Sequence, residues 1–67
     1  MIAYRFLTGD DSSEFCRKVT RALSEGWVLH GNPAYGFDAA TGKMRCGQAV
    51  TKEVEGSYDP DAKLGQL

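Results

Sequence analysis

This chain is poor in the residues that usually carry chemistry. It has one histidine, two cysteines, two prolines and one tryptophan among 67 residues. A single histidine, His30, excludes a His-rich metal centre, and no CxxC or HxxxH spacing joins it to Cys16 and Cys46. No apolar run approaches the length of a bilayer-spanning helix. The opening Met1-Ile2-Ala3-Tyr4-Arg5 lacks a basic region followed by an apolar one, so the expected compartment is cytoplasmic. There the two thiols are expected to stay reduced, and each lies within an apolar pattern, where cysteine acts as a small hydrophobe. Repeats and low-complexity segments are also absent.

Neither sign of charge dominates. The formal net charge of −1 argues against nucleic-acid binding by bulk electrostatics. The total hides an asymmetry. Residues 1–52 hold seven Lys/Arg against five Asp/Glu, whereas residues 53–67 hold Lys63 against Glu53, Glu55, Asp59 and Asp61. The chain is therefore divided into a weakly basic compact domain, 1–54, and an acidic tail, 55–67. A domain this short buries only about 60% of its unfolded surface and usually needs a disulfide, a metal or a partner.

What is present is a helix signal set among strand signals. Asp11 to Trp27 reads as one helix. Asp11 is placed to cap, with Glu14 three residues on, and Gly26 stands where a left-handed C-terminal cap belongs. Phe15, Cys16, Val19, Ala22 and Leu23 share one face. On the other arc, Glu14 is set to pair with Lys18, and Arg21 with Glu25, as a solvated surface does. Ile2 to Thr8 alternates as a strand. Trp27 to His30 begins a second strand, Gly31-Asn32-Pro33 interrupts it, and Ala34 to Asp38 resumes it. Ala39 to Gly42 is a hairpin connection into a third strand, Lys43 to Val54. The fold class is α+β, in the order β-α-β-β, with one helix packed on a small three-stranded sheet. The third strand, the longest and carrying Gly47 and Ala49, is expected in the middle, with close backbone packing on the Gly47/Ala49 side. A right-handed crossover follows if the first two strands run parallel.

No catalytic, cofactor-binding or metal-binding residue is assigned. Gly31-Asn32-Pro33 and Gly42 do not open helices as phosphate loops must, and Asp10 and Asp11 would repel an anion at the helix start. Asp59 and Asp61 lie in the tail, without a dry site around them. Gln48, between Cys46 and Val50 on an apolar face, reads as a hydrogen-bonding residue at a subunit contact or as a ligand contact.

The pattern Tyr4-Arg5-Phe6-Leu7-Thr8-Gly9, Phe15-Cys16, Val19, Ala22-Leu23, Gly26-Trp27, Leu29, Gly31, Pro33 and Cys46-Gly47-Gln48-Ala49-Val50 with Lys52 resembles a family of small bacterial proteins catalogued as domain of unknown function 1737. The resemblance covers residues 4–54. It implies a compact single domain and carries no activity with it.

Three functional readings follow. The first is a non-enzymatic homo-oligomeric interaction module, most simply a dimer, or one that takes another protein partner. Its contact is expected to draw on Trp27, Tyr35, Phe37 and the strand face of Cys46, Gln48 and Val50, left open on the side opposite the helix. Alternation can place Arg5 and Arg45 together on the other face. The second is a nucleic-acid-binding accessory protein, motivated by Arg17, Lys18 and Arg21 with Tyr4, Trp27 and Tyr35, though the third strand lacks the aromatic of sheet-based RNA binders. The third is a small enzyme or ligand-binding subunit with an intersubunit site around His30, Cys46 and Gln48.

Overall fold

The computed structural model describes residues 1–67. Strand β1 (Ile2–Asp10) is followed by helix α1 (Ser13–Ser24), strands β2 (Val28–Asp38) and β3 (Lys43–Glu53), and a 3₁₀ turn (Leu64–Gln66). The expected β-α-β-β order and α+β class are what the structure has. The sheet order is β1-β3-β2, and β3 runs antiparallel to both neighbours, so it occupies the centre as anticipated. β1 and β2, each antiparallel to β3, therefore run parallel to one another, with α1 crossing between them.

The helix begins later than Asp11. Ser12 is the N-cap residue, and its carbonyl accepts from the N–H groups of Phe15 and Cys16. Asp11 belongs to the sheet instead: its N–H donates to the Met44 carbonyl at 3.1 Å, which extends the β1–β3 ladder one residue past Asp10. The other end follows the expectation. Gly26 has φ +97°, its N–H reaches the Leu23 carbonyl, and the Trp27 N–H reaches the Ala22 carbonyl at 3.1 Å. These are the two bonds of a Schellman cap, and the positive φ is why glycine stands there. On the solvated arc Glu14 pairs with Arg17 rather than Lys18, whose ammonium instead donates to the Thr8 carbonyl at 2.6 Å.

The core lies between α1 and one face of the sheet. Ala3, Leu7, Ala22, Trp27 and Val50 form it, with Phe15, Val19, Val54 and Leu67 packed against it. Val50 is 0% exposed and Trp27 2%. Of the predicted helix stripe, Phe15, Val19 and Ala22 point inward, while Cys16 and Leu23 lie at its exposed margins. The tail is not free. Lys52 Nζ donates to the carbonyls of Glu25 and Leu67, at 2.8 and 2.6 Å, and so ties the helix end to the tail beside Trp27. Arg5 and Lys52 both stand over the indole, at 5.2 and 5.9 Å from its ring centre, where cations are attracted to the π face.

The face assignment differs from the expectation. Register pairs Arg5 with Val50, Leu7 with Gln48 and Tyr35 with Cys46, so the Cys46–Gln48–Val50 face is the one beneath α1. The open face carries Ile2, Tyr4, Phe6, Val28, His30, Ala34, Gly47 and Ala49. Arg5 and Arg45 consequently point to opposite sides. The reason is the helix stripe: it needs the wider apolar face of β3, and Gly47 and Ala49 offer it too little side chain to pack on.

Two substitutions check this arrangement. Val50→Asp buries an unpaired carboxylate in the core and is expected to cost on the order of 3 kcal/mol or more. Against the ~5 kcal/mol scale of small domains this leaves much of the chain unfolded. Gln48→Met keeps the volume but removes the donor to three carbonyls described below, and is expected to cost about 1–3 kcal/mol. Urea melts followed by circular dichroism measure both; an unchanged midpoint for either places that side chain elsewhere.

Candidate functional site

The six residues singled out from the sequence divide into three environments. Trp27 and Val50 belong to the monomer core. Cys46 and Gln48 are buried in the sheet beneath α1. Tyr35 and Phe37 share that face further along the β2–β3 hairpin, beyond the reach of α1, and are 65% and 66% exposed. They are joined there by Met44, which lies across from Phe37.

Gln48 has a structural assignment. β2 pairs His30 with Ala49 and Ala34 with Gly47, so Gly31, Asn32 and Pro33 bulge opposite the single residue Gln48. A bulge strips carbonyls of their ladder partners. The Gln48 Nε2 donates to the carbonyls of His30 (3.3 Å), Gly31 (3.4 Å) and Ala49 (2.9 Å). Gly31, with φ +71°, makes the turn in the bulge. A glutamine opposite a Gly-x-Pro interruption was the signal for this; read without the register, it looked like a subunit contact or a ligand contact.

The histidine side chain does not join Cys46 and Gln48. His30 pairs with Ala49, so its ring projects to the open face and theirs to the α1 side. Cys46 instead meets a group that sequence reasoning missed. Asp11, at the end of the β1–β3 ladder, lies beside both Cys46 and Tyr35. Burial, and then the Asp11 carboxylate, push the Cys46 thiol above its ordinary 9.0. The Asp11 charge, followed by Cys46, raises the Tyr35 phenol above its ordinary 10.0. A thiol held in its protonated form is a poor nucleophile. No group of three or more His, Cys, Asp or Glu side chains is placed to hold a metal ion.

Of the basic helix trio, Arg17 pairs with Glu14 and Lys18 with the Thr8 carbonyl, which leaves Arg21 without an ion-pair partner. The aromatics do not form one stacking platform: Tyr4 is on the open face, Tyr35 on the α1 side, and Trp27 is enclosed.

The open face is the largest uncovered feature. Ile2 and Val28 are 69% and 62% exposed, and Tyr4 and Phe6 about half exposed. The tip of the Phe6 ring sits over Gly47, where an added Cβ would meet its Cζ at 2.3 Å. The close backbone packing expected on the Gly47/Ala49 side is not what occupies Gly47; the nearest atoms there belong to the Phe6 side chain. Beside it a shallow depression of ≈ 230 Å³ is floored by Ala34, Gly36 and Gly47. Charges on this face lie at its two ends: Asp10 pairs with Arg45 at 2.6 Å and with Lys43 at 3.8 Å near the hairpin, and Glu53, across from Ile2, pairs with the Met1 ammonium at 3.5 Å. A second apolar groove, ≈ 320 Å³, runs between α1 and β2 and is lined by Phe15, Cys16, Val19, Leu29 and Pro33.

The raised thiol and phenol fix a pH dependence. Both groups hold their protons more tightly folded than unfolded, so their contribution is complete below about pH 8. It is lost as pH rises through and beyond the ordinary values of 9.0 and 10.0. The melting temperature is expected to fall from about pH 8 to about pH 10.5, and less steeply in Asp11→Asn. Equal slopes would show that Asp11 does not act on this pair.

No helix is long and apolar enough to cross a membrane. No curated protein and no solved structure gives a match. The family model described as Domain of unknown function (DUF1737) matches residues 1–53, which takes in every strand, the helix and the bulge held by Gln48. The chain belongs to that family.

Proposed function

We propose that this protein is a non-enzymatic, cytoplasmic interaction module that works as a homodimer, joined through the open face of its sheet. The observation that carries this reading is an excess of surface. A monomer of this mass exposes about 4,200 Å² by the usual scaling, whereas this chain exposes 4905 Å². Its radius of gyration is 13.4 Å, against about 11 Å for a compact domain of this length. Only eight of 67 residues are buried.

The chemistry of the open face fits a second copy. Its charges are paired at both ends, Asp10 with Arg45 and Lys43 at the hairpin and Glu53 with the Met1 ammonium beside Ile2, so two copies can meet across Ile2, Tyr4, Phe6 and Val28 without desolvating an unpaired ion. The tail does not compete for it. Leu67 packs on the α1 side, and Tyr58 is 75% exposed. Contiguous apolar surface of this kind marks a contact site.

Sedimentation equilibrium at micromolar concentration tests the proposal. The expected species has twice the 7.3 kDa chain mass, with an interface of about 1,200 Å² or more in total. Val28→Asp, at an exposed position, is expected to leave the melt nearly unchanged and to weaken self-association at least about a hundredfold, as one desolvated charge does. A monomeric wild-type chain that melts cooperatively would overturn the reading.

A further inference from the structure

We propose that the outer edge of β1, with the groove between it and α1, binds an extended peptide of another protein in which acidic residues alternate with apolar ones. β1 is an edge strand nine residues long, without proline or bulge. The direction of its main-chain groups follows from three contacts. Met1 and Asp11 bond inward to Val54 and Met44, while the Thr8 carbonyl accepts from Lys18 outside the sheet. Odd-numbered residues therefore pair with β3, and the N–H and C=O groups of Ile2, Tyr4 and Phe6 face outward. None of them has a main-chain partner. Such an edge is a template for an added strand. The opposite edge, β2, is broken between His30 and Ala34 and carries Pro33, so it is a poorer one.

The groove selects the peptide. It holds ≈ 580 Å³ and is lined by Arg5, Lys18 and Arg21 against Glu25, with Leu64 and Gly65 of the tail at one side. Arg21 has no ion-pair partner, and the Lys18 bond to Thr8 shows that cations on α1 reach the strand edge. An added strand sends alternate side chains to the two faces. Those on the α1 side meet Lys18 and Arg21, and those on the other extend the Tyr4–Phe6 surface. Acidic and apolar residues in alternation satisfy both. A second copy of β1 is the wrong occupant, because it would bring a second Arg5, Lys18 and Arg21 beside the first set.

The test is fluorescence anisotropy of a labelled alternating Val-Glu peptide of about eight residues, the length of a strand, with the full chain at low ionic strength. A saturable rise at micromolar protein is expected, and none with the alternating Val-Lys peptide. Arg21→Glu should weaken binding at least about tenfold. Tyr4→Pro removes an outward N–H and leaves the ladder to β3 intact, so it should abolish binding, whereas Tyr4→Ser, which keeps that N–H and loses only the ring, should weaken it without abolishing it. If Tyr4→Pro fails to fold by circular dichroism, a Val-Glu peptide N-methylated on alternate amides replaces it, in both methylation registers, and the register that blocks the edge-facing amides should not bind. Absence of binding, equal binding of the Val-Lys peptide, indifference to Arg21→Glu, or capture of a single-stranded oligonucleotide at this groove in place of the peptide would each overturn the proposal. The readout is independent of self-association through the open face, since anisotropy reports the edge and sedimentation the face.

Discussion

A mismatch of lengths governs this molecule. The twelve residues of α1 make a rod about 18 Å long, while the eleven of β3 extend about 36 Å. One short helix cannot roof one long sheet. Where they overlap, Phe15, Val19 and Ala22 close over Leu7 and Val50, and Ala3 and Trp27 complete the core. Where they do not, the β2–β3 hairpin projects alone, which gives the 42 × 23 × 19 Å outline and leaves Tyr35, Phe37 and Met44 in water. The tail lengthens the roof slightly at the other end, through Leu67 and its bond to Lys52. Nothing roofs the far face.

Against so small a core, polar groups are placed with economy. Gln48 is buried because the β2 bulge supplies acceptors for it, and the bulge persists because Gln48 supplies the donor. Each would be costly without the other. Lys52 serves similarly at the opposite end, where one ammonium satisfies two carbonyls and stands over the Trp27 ring. No buried side-chain polar atom lacks a partner. The two arrangements pin β3 to β2, to the helix end and to the tail, so the central strand carries the polar contacts as well as Val50.

Element order, the central position of β3 and the Schellman cap were legible because each rests on local chemistry: alternation, helical spacing, and a glycine where φ must be positive. The cap residue was misplaced because Asp11 answers to a non-local demand, the carbonyl of Met44. The choice of sheet face was illegible for a related reason. Alternation separates the two faces of β3 but does not say which one the helix covers; that follows from the pairing of Arg5 with Val50 and the seating of Arg5 and Lys52 over the Trp27 ring. Gln48 was recognised as unusual but given a partner outside the chain, since the bulge that occupies it appears only once β2 and β3 are in register. The approach of Asp11 to Cys46 joins residues 35 apart and leaves no trace in spacing.

The strand order has a consequence for how the chain comes to be folded. β2 and β3 are joined by a tight hairpin and can pair as soon as both exist. β1 finds its only ladder partner in β3, with Ile2 set against Glu53. Closing so wide a loop is the largest entropic step in forming the sheet. During synthesis the first strand must therefore wait until nearly the whole domain has left the ribosome. Until then β1 has only the nascent helix beside it, Tyr4 and Phe6 stay uncovered, and the N-terminal segment is the part most open to chaperones or to a neighbouring nascent chain.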